Sequence, residues 1–160
     1  MAGQSAKPRC VFDCMVFLQA AVSRRGPAFA LLALVEAGGL ELLVSAAILT
    51  ELREVLLRPV VQKKFPLLTL AFVDAFLGQI TRIGTMVEEI PREFRLDRDP
   101  DDEAYVNLAL AGRAQYLVTR DHDLLDLARD QSPAGAELRR LRPELKVVGP
   151  GAFLELIATG

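Results

Sequence analysis

The chain has 160 residues, enough for one domain with a sizeable hydrophobic core. Hydrophobic residues make up 51% of it, which argues against a disordered protein. The net charge of −2 excludes a protein that holds nucleic acid through a large excess of basic charge.

Strands and helices alternate along most of the chain. Residues 1–8 show no pattern, and we expect a frayed terminus or a remnant of expression there, followed by a single domain over 9–158. In order, the predicted elements are a strand at 10–13, helices at 15–22 and 28–37, a strand at 40–44, helices at 46–58 and 67–83, a weak strand at 85–87, a helix at 100–112, a strand at 116–118, a helix at 124–129, a strand at 146–148 and a helix at 152–158. This alternation predicts a parallel sheet with right-handed crossovers.

The two cysteines predict the compartment. Cys10 and Cys14 look like residues of one strand, whose rise would place them roughly 13 Å apart, too far for a disulfide. We therefore expect two buried thiols in a reducing cytoplasm. The longest apolar run, 27–35, is too short to span a bilayer, so no membrane association is expected.

Two predicted strands end in aspartate. Asp13 closes the first strand, and Asp121 follows the strand at 116–118. In open parallel sheets, ligands bind just outside the carboxyl ends of strands, and a buried carboxylate is costly unless it is paired or bound to metal. Each aspartate also suits the N-cap of the next helix, and Asp123 suits that helix's positive end, so both interpretations stay open.

The segment 99–103, Asp-Pro-Asp-Asp-Glu, has the features of a helix start, with aspartate at the N-cap and proline at the first position. The acids after the proline are favoured there by the helix dipole. Glu103 shares a face with Val106 and Leu110, which would aim it toward the sheet. We take Glu103 as the candidate site residue and Asp102 as its alternative.

Glu51 is the candidate from the helix that Ser45 caps. It lies on or beside the buried stripe that includes Ile48. Glu54 lies on another face, four residues before Arg58, where a surface ion pair explains it.

Other catalytic chemistries lack the residues that they need. His122 is the single histidine, so neither a histidine-based triad nor a histidine-rich zinc site has enough members. No glycine-rich phosphate loop is present. Magnesium or manganese held by oxygen ligands is what the acidic residues suit best.

Four short motifs, taken in order, resemble the PIN domain family. They are Val-Phe-Asp at 11–13, Leu-Val-Ser at 43–45 ahead of Glu51, Asp-Pro-Asp-Asp-Glu at 99–103 and Leu-Val-Thr-Arg-Asp at 117–121. The resemblance extends from Cys10 to about Leu156 and is greatest with the branch that contains toxins of toxin–antitoxin systems. It implies a three-layer α/β/α sandwich with a central parallel sheet.

The resemblance also implies an activity and partners. It implies a cytoplasmic endoribonuclease that uses Mg²⁺ or Mn²⁺ to hydrolyse RNA phosphodiester bonds, a toxin restrained by an antitoxin and forming a homodimer. By motif, it gives catalytic and metal-binding roles to Asp13, Glu51, Glu103 and Asp121, and a further metal-binding role to Asp123.

The chain departs from the family pattern after the first aspartate. The usual motif is Asp-Thr-Asn or Asp-Ser-Asn, whereas this chain has Cys14 and Met15, and Glu103 stands where Asp is commoner. Loss of hydrogen-bonding residues around a metal site typically weakens affinity or activity about 10–100-fold. The alternative function is therefore a catalytically weakened or inactive PIN-like module that binds RNA or a protein.

Overall fold

The computed structural model describes residues 7–129 and 131–159, so most of the predicted terminal segment 1–8 lies outside the described residues. The described strands are β1 (Arg9–Phe12), β2 (Glu41–Val44), β3 (Thr85–Met86), β4 (Tyr116–Val118) and β5 (Lys146–Val148). The described helices are α1 (Cys14–Val22), α2 (Pro27–Glu36), α3 (Ala46–Leu56), α4 (Pro59–Lys64), α5 (Leu70–Ile83), α6 (Pro100–Ala111), α7 (His122–Leu127), α8 (Pro133–Leu141) and α9 (Pro150–Thr159).

The strands form one parallel sheet in the order β3-β2-β1-β4-β5. From β1 the chain builds outward to β3, then returns to place β4 on the other side of β1. The order of the strands therefore reverses between β1 and β4, and such a switch point is where open α/β sheets bind ligands.

Both faces of the sheet are covered, which confirms the predicted three-layer α/β/α fold. Cys10 and Phe12 of β1 belong to a core that includes residues of α1, α2, α3 and α5. Val11, between them, belongs to a second core with residues of α6, α7 and α8. This alternation follows from the two-residue period of a strand whose two faces are both buried.

Three local predictions differ from the structure. Helix α4 begins at Pro59, where the preceding helix was expected to end, and α8 occupies a segment expected to be irregular. Both begin with proline, which ends one helix yet suits the first position of the next because no N–H is needed there. Cys10 and Cys14 are both free, but Cys14 begins α1 instead of continuing the strand.

A buried amide, that of Asn107, helps to hold the segment between β3 and α6. The Asn107 side chain accepts a hydrogen bond from the Phe94 N–H at 2.8 Å and donates one to the Phe94 carbonyl at 2.9 Å. Phe94 is fully buried, so this pair holds the segment against α6. Within the described residues, no helix has the length and apolar character needed to cross a membrane.

We predict that Asn107→Ala lowers the free energy of unfolding by about 3 kcal/mol, because two buried backbone groups of Phe94 lose their partner. Urea unfolding measures this change. The control is Gln79→Ala, which removes an exposed hydrogen bond to Glu36 and should change the free energy by no more than about 0.5 kcal/mol. Equal effects of the two substitutions would contradict the prediction.

Candidate metal centre

Asp13 lies at the junction of β1 and β4. Its backbone N–H donates to the Val118 carbonyl at 3.1 Å, which extends the pairing of the two strands by one residue. One carboxylate oxygen accepts from the Val16 N–H at 3.0 Å and caps α1, and the other accepts a short hydrogen bond from the Thr119 hydroxyl. Asp13 is thus a helix cap and also a residue of the switch point.

Burial makes the charged form of Asp13 costly. The side chain is buried, and desolvation raises the pKa of its carboxyl group, an effect opposed by the hydrogen bonds from Thr119 and Val16 and reinforced by the charge of Asp121. A cation nearby would offset this cost.

Three aspartates from two elements converge beside it. Among the described residues, Asp99, Asp102 and Asp121 each offer a carboxylate oxygen, and these oxygens lie within 4.8 Å of one another. Asp99 caps α6 by accepting from the Asp102 N–H at 3.2 Å. Asp121 accepts from the Asp123 N–H at 2.9 Å at the start of α7. Because a carboxylate has two oxygens, capping a helix does not prevent these residues from joining the cluster.

The close carboxylates of the cluster disfavour ionisation of all three aspartates at once. Burial, together with Asp99 and Asp121, raises the pKa of Asp102 to about 8, so its carboxyl group tends to keep a proton at neutral pH. Carboxylate oxygens are the ligands that Mg²⁺ and Mn²⁺ prefer in proteins. The donor set therefore fits a hard divalent cation, and the cluster can hold a metal ion.

Two further predicted residues share this groove. Asp13 and Glu51 line the same cavity as the three aspartates, with a volume of about 200 Å³. Glu51 comes from α3, and burial, reinforced by the charge of Asp101, raises the pKa of its carboxyl group. The fold thus brings together Asp13, Glu51 and Asp121 of the residues expected from the sequence.

Glu103 is not brought to the cluster. Its carboxylate accepts two hydrogen bonds from the Arg92 guanidinium, at 2.6 and 2.9 Å, and a third from the Leu96 N–H at 2.8 Å. The Arg92 guanidinium and the Leu96 N–H lower the pKa of Glu103 to about 2. The alternative candidate, Asp102, lies with Asp99 and Asp121 in the cluster. Consecutive residues of a helix point about 100° apart, so Asp102 and Glu103 face different surroundings.

Asp123 is also separate from the groove. Its side chain is exposed, and it does not line the cavity that holds the cluster. Its backbone N–H instead serves the capping carboxylate of Asp121.

Asp99, Asp101 and Tyr105 also line the groove, although none of them was expected as a site residue from the sequence. From the sequence, Asp99 was explained only as the N-cap of α6. An acid at the start of a helix can also face a ligand site at the carboxyl ends of the strands, and this pattern could have indicated Asp99. Tyr105 gave no signal, since a tyrosine in an apolar helix looks like core. Its side chain is 2% exposed, and its hydroxyl group has no hydrogen-bond partner among the described residues.

The residues after Asp13 change the character of the groove. Burial is the main cause that raises the pKa of the Cys14 thiol to about 11, so the thiol stays neutral at physiological pH. Met15 is 43% exposed and lines the groove beside the acids.

A comparison with protein families identifies the fold. The family model described as PIN domain matches residues 9–123, which is most of the chain. The chain belongs to the PIN domain family. Members of this family are typically nucleases, and the matched span of this PIN domain includes Asp13, Glu51 and the three clustered aspartates. A comparison with curated proteins found no match.

We predict that Glu103→Gln destabilises the protein without affecting the cluster, because Arg92 and Leu96 lose a charged acceptor. The pKa of Glu103 is lowered from 4.5 to about 2, so its stabilising effect is present above pH 4.5 and disappears as the pH falls toward 2. Urea unfolding over this pH range should show the difference between wild type and variant shrinking in acid.

Asp102→Asn is the contrasting variant. It relieves repulsion by Asp99 and Asp121, so at pH 7 it should leave the metal-free protein at least as stable as wild type. Because the pKa of Asp102 is raised from 3.8 to about 8, this residue makes the wild type less stable as the pH rises through that interval, and the variant should lack this contribution. We expect Mn²⁺ to raise the Tm of the wild type, because a cation that binds only the folded protein stabilises it. This rise should persist in Glu103→Gln and disappear in Asp102→Asn. The reverse pattern would reinstate Glu103 as the ligand.

Proposed function

We propose that this PIN domain is a metal-dependent endoribonuclease that hydrolyses RNA phosphodiester bonds with Mg²⁺ or Mn²⁺. The observation that carries the proposal is the convergence of Asp99, Asp102 and Asp121 at the switch point of a nuclease-family fold. Asp13 and Glu51, which line the same groove, complete the set of residues that would hold one or two cations.

The protein's own residues prepare this set before any cation binds. Asp13 is held by hydrogen bonds to both of its oxygens, and the capping oxygens of Asp99 and Asp121 are fixed by backbone N–H groups. Asp102 would release its proton as positive charge enters the cluster. When bound, a divalent cation would supply an activated water and offset the negative charge that develops on the phosphodiester.

The surface next to the acids suits a nucleic acid strand. A second groove lined by Met15, Gln19, Arg120 and Asp121 adjoins the cluster. Gln19 and Arg120 also line a cavity of about 260 Å³ beside the first residues of α2 and α9. An arginine and two helix N-termini favour phosphate, and the exposed Met15 offers an apolar surface for a base. This local arrangement supports an RNA substrate despite the net charge of −2.

We extend the proposal to the biological role. The resemblance to the toxin branch supports a toxin restrained by a cognate antitoxin protein, acting in the cytoplasm as a homodimer. The partners follow from that resemblance alone.

A second candidate function rests on Cys14 and Met15. The neutral Cys14 thiol is a weak hydrogen-bond donor for an acidic site, and the Met15 side chain has no donor. These side chains favour a PIN-like module that binds RNA or a protein with weak or no cleavage.

We predict Mn²⁺-dependent cleavage of single-stranded RNA that falls at least about 100-fold in Asp121→Asn and in Glu51→Gln, because each substitution removes a carboxylate from the cation site. The matched control is Glu54→Gln, an exposed acid on the same helix as Glu51, which should cleave at the wild-type rate. Gel analysis of labelled RNA measures the rates. Metal-dependent RNA binding without cleavage in the wild type would favour the second candidate.

We predict that Arg120→Ala weakens RNA binding about fivefold, the effect of losing roughly 1 kcal/mol of exposed phosphate contact. The Mn²⁺-dependent rise in Tm should not change, because Arg120 holds no cation. Lys146→Ala is the charge-matched control, since Lys146 lies at the amino end of the parallel strands, paired with Tyr116, whereas Arg120 follows the carboxyl end of β4. Fluorescence anisotropy measures both affinities, with Asp121→Asn as the background because its cleavage is expected to be slow. Equal losses in the two variants would argue against a defined RNA path.

A further inference from the structure

The hydroxyl group of Tyr105 is a buried polar atom in the acidic groove that makes no hydrogen bond with any residue the structure describes. Tyr105 lies in α6, three residues after Asp102, and it lines the cavity that holds the acids. Its side chain is 2% exposed, and among the described residues its hydroxyl oxygen makes no hydrogen bond. Such a group costs stability, and phenylalanine would fill the same space without that cost. The hydroxyl therefore calls for a functional explanation.

The surroundings of this hydroxyl leave one suitable acceptor. Cys14, Glu51 and Asp13 are the neighbours whose charges act on it. Asp13 is held by one hydrogen bond on each oxygen, from the Val16 N–H and the Thr119 hydroxyl, and the Cys14 thiol is neutral and a weak acceptor. The carboxylate of Glu51 is the strong acceptor beside it. Burial raises the pKa of Glu51, whereas the Tyr105 hydroxyl already lowers it and so favours the charged form, although the two groups do not reach full hydrogen-bond geometry in this structure.

Glu51 is also the acid that most needs orientation. It lines the groove but does not belong to the group of oxygens formed by Asp99, Asp102 and Asp121. It comes from a different helix and, unlike Asp99 and Asp121, it does not cap the helix that carries it. A donor beside it can fix the direction of its carboxylate.

We propose that Tyr105 is a positioning residue whose hydroxyl group donates a hydrogen bond to Glu51 and turns its carboxylate toward the three-aspartate cluster when a cation occupies it. This inference rests on the proposed metal-dependent function. It gives a role to a buried hydroxyl group that makes no hydrogen bond of full geometry with the described residues. Residues that orient metal ligands typically contribute about 10–100-fold to metal affinity.

The test separates positioning from a structural role by the sign of two effects. Tyr105→Phe removes only the hydroxyl group, so the Tm of the metal-free protein should stay the same or rise. The affinity for Mn²⁺, measured by calorimetric titration of the full chain, should fall about 10-fold. Tyr116→Phe is the matched control. Tyr116, on β4, packs against Phe153 of α9 and does not line the acidic groove.

A double-mutant cycle with Glu51→Gln tests the partner. In that background Tyr105→Phe should have little further effect on Mn²⁺ affinity, because the acceptor carboxylate has already gone. An equal loss in both backgrounds would show that Tyr105 acts independently of Glu51 and would overturn the inference. Wild-type affinity in Tyr105→Phe, or a lowered metal-free Tm, would overturn it as well.

A different result, the absence of Mn²⁺ binding by the wild type, would contradict the proposed function. If the wild type itself binds no Mn²⁺, the metal centre is absent, and the positioning role falls together with it. If the wild type binds Mn²⁺ and Asp121→Asn does not, the centre stands, and the behaviour of Tyr105→Phe decides the inference alone.

Discussion

The hydroxyl group of Thr119 links Asp13, at the end of β1, to Asp121, which follows β4. The Thr119 side chain donates to the buried carboxylate of Asp13 and accepts from the Asp121 N–H at 3.0 Å. These contacts tie the end of β1 to the end of β4, although more than a hundred residues separate them along the chain. The positions of the other acids depend on this junction, because α6 and α7 are placed by the strands that flank it.

Local folding and the proposed chemistry use the same side chains. Asp13, Asp99 and Asp121 each cap a helix through one carboxylate oxygen, which stabilises those helices. The same caps concentrate negative charge at one edge of the sheet, where burial, reinforced by Asp99 and Asp121, raises the pKa of Asp102. A cation would relieve this conflict, so helix capping and metal binding support each other once the site is loaded.

Two neighbouring acids of α6 have opposite environments. Glu103 is neutralised by Arg92 and anchors the segment that leads into the helix, whereas Asp102 faces other carboxylates. The pKa of the first is lowered and that of the second is raised, although the two residues are adjacent. Their surroundings, and not their sequence position, assign one to stability and the other to the proposed metal centre.

The sequence by itself determined the features that depend on local interactions. Strand β4 and the caps at Ser45 and Asp99 were predicted correctly, because apolar runs and capping residues act within a few positions. The sequence also indicated that strands ending in Asp13 and Asp121 would meet at one edge, since parallel strands share their direction. Only the tertiary structure placed Asp102, and not Glu103, beside Asp99 and Asp121, and left the Tyr105 hydroxyl without a hydrogen bond to the described residues. Both outcomes depend on where residues distant in the chain are packed.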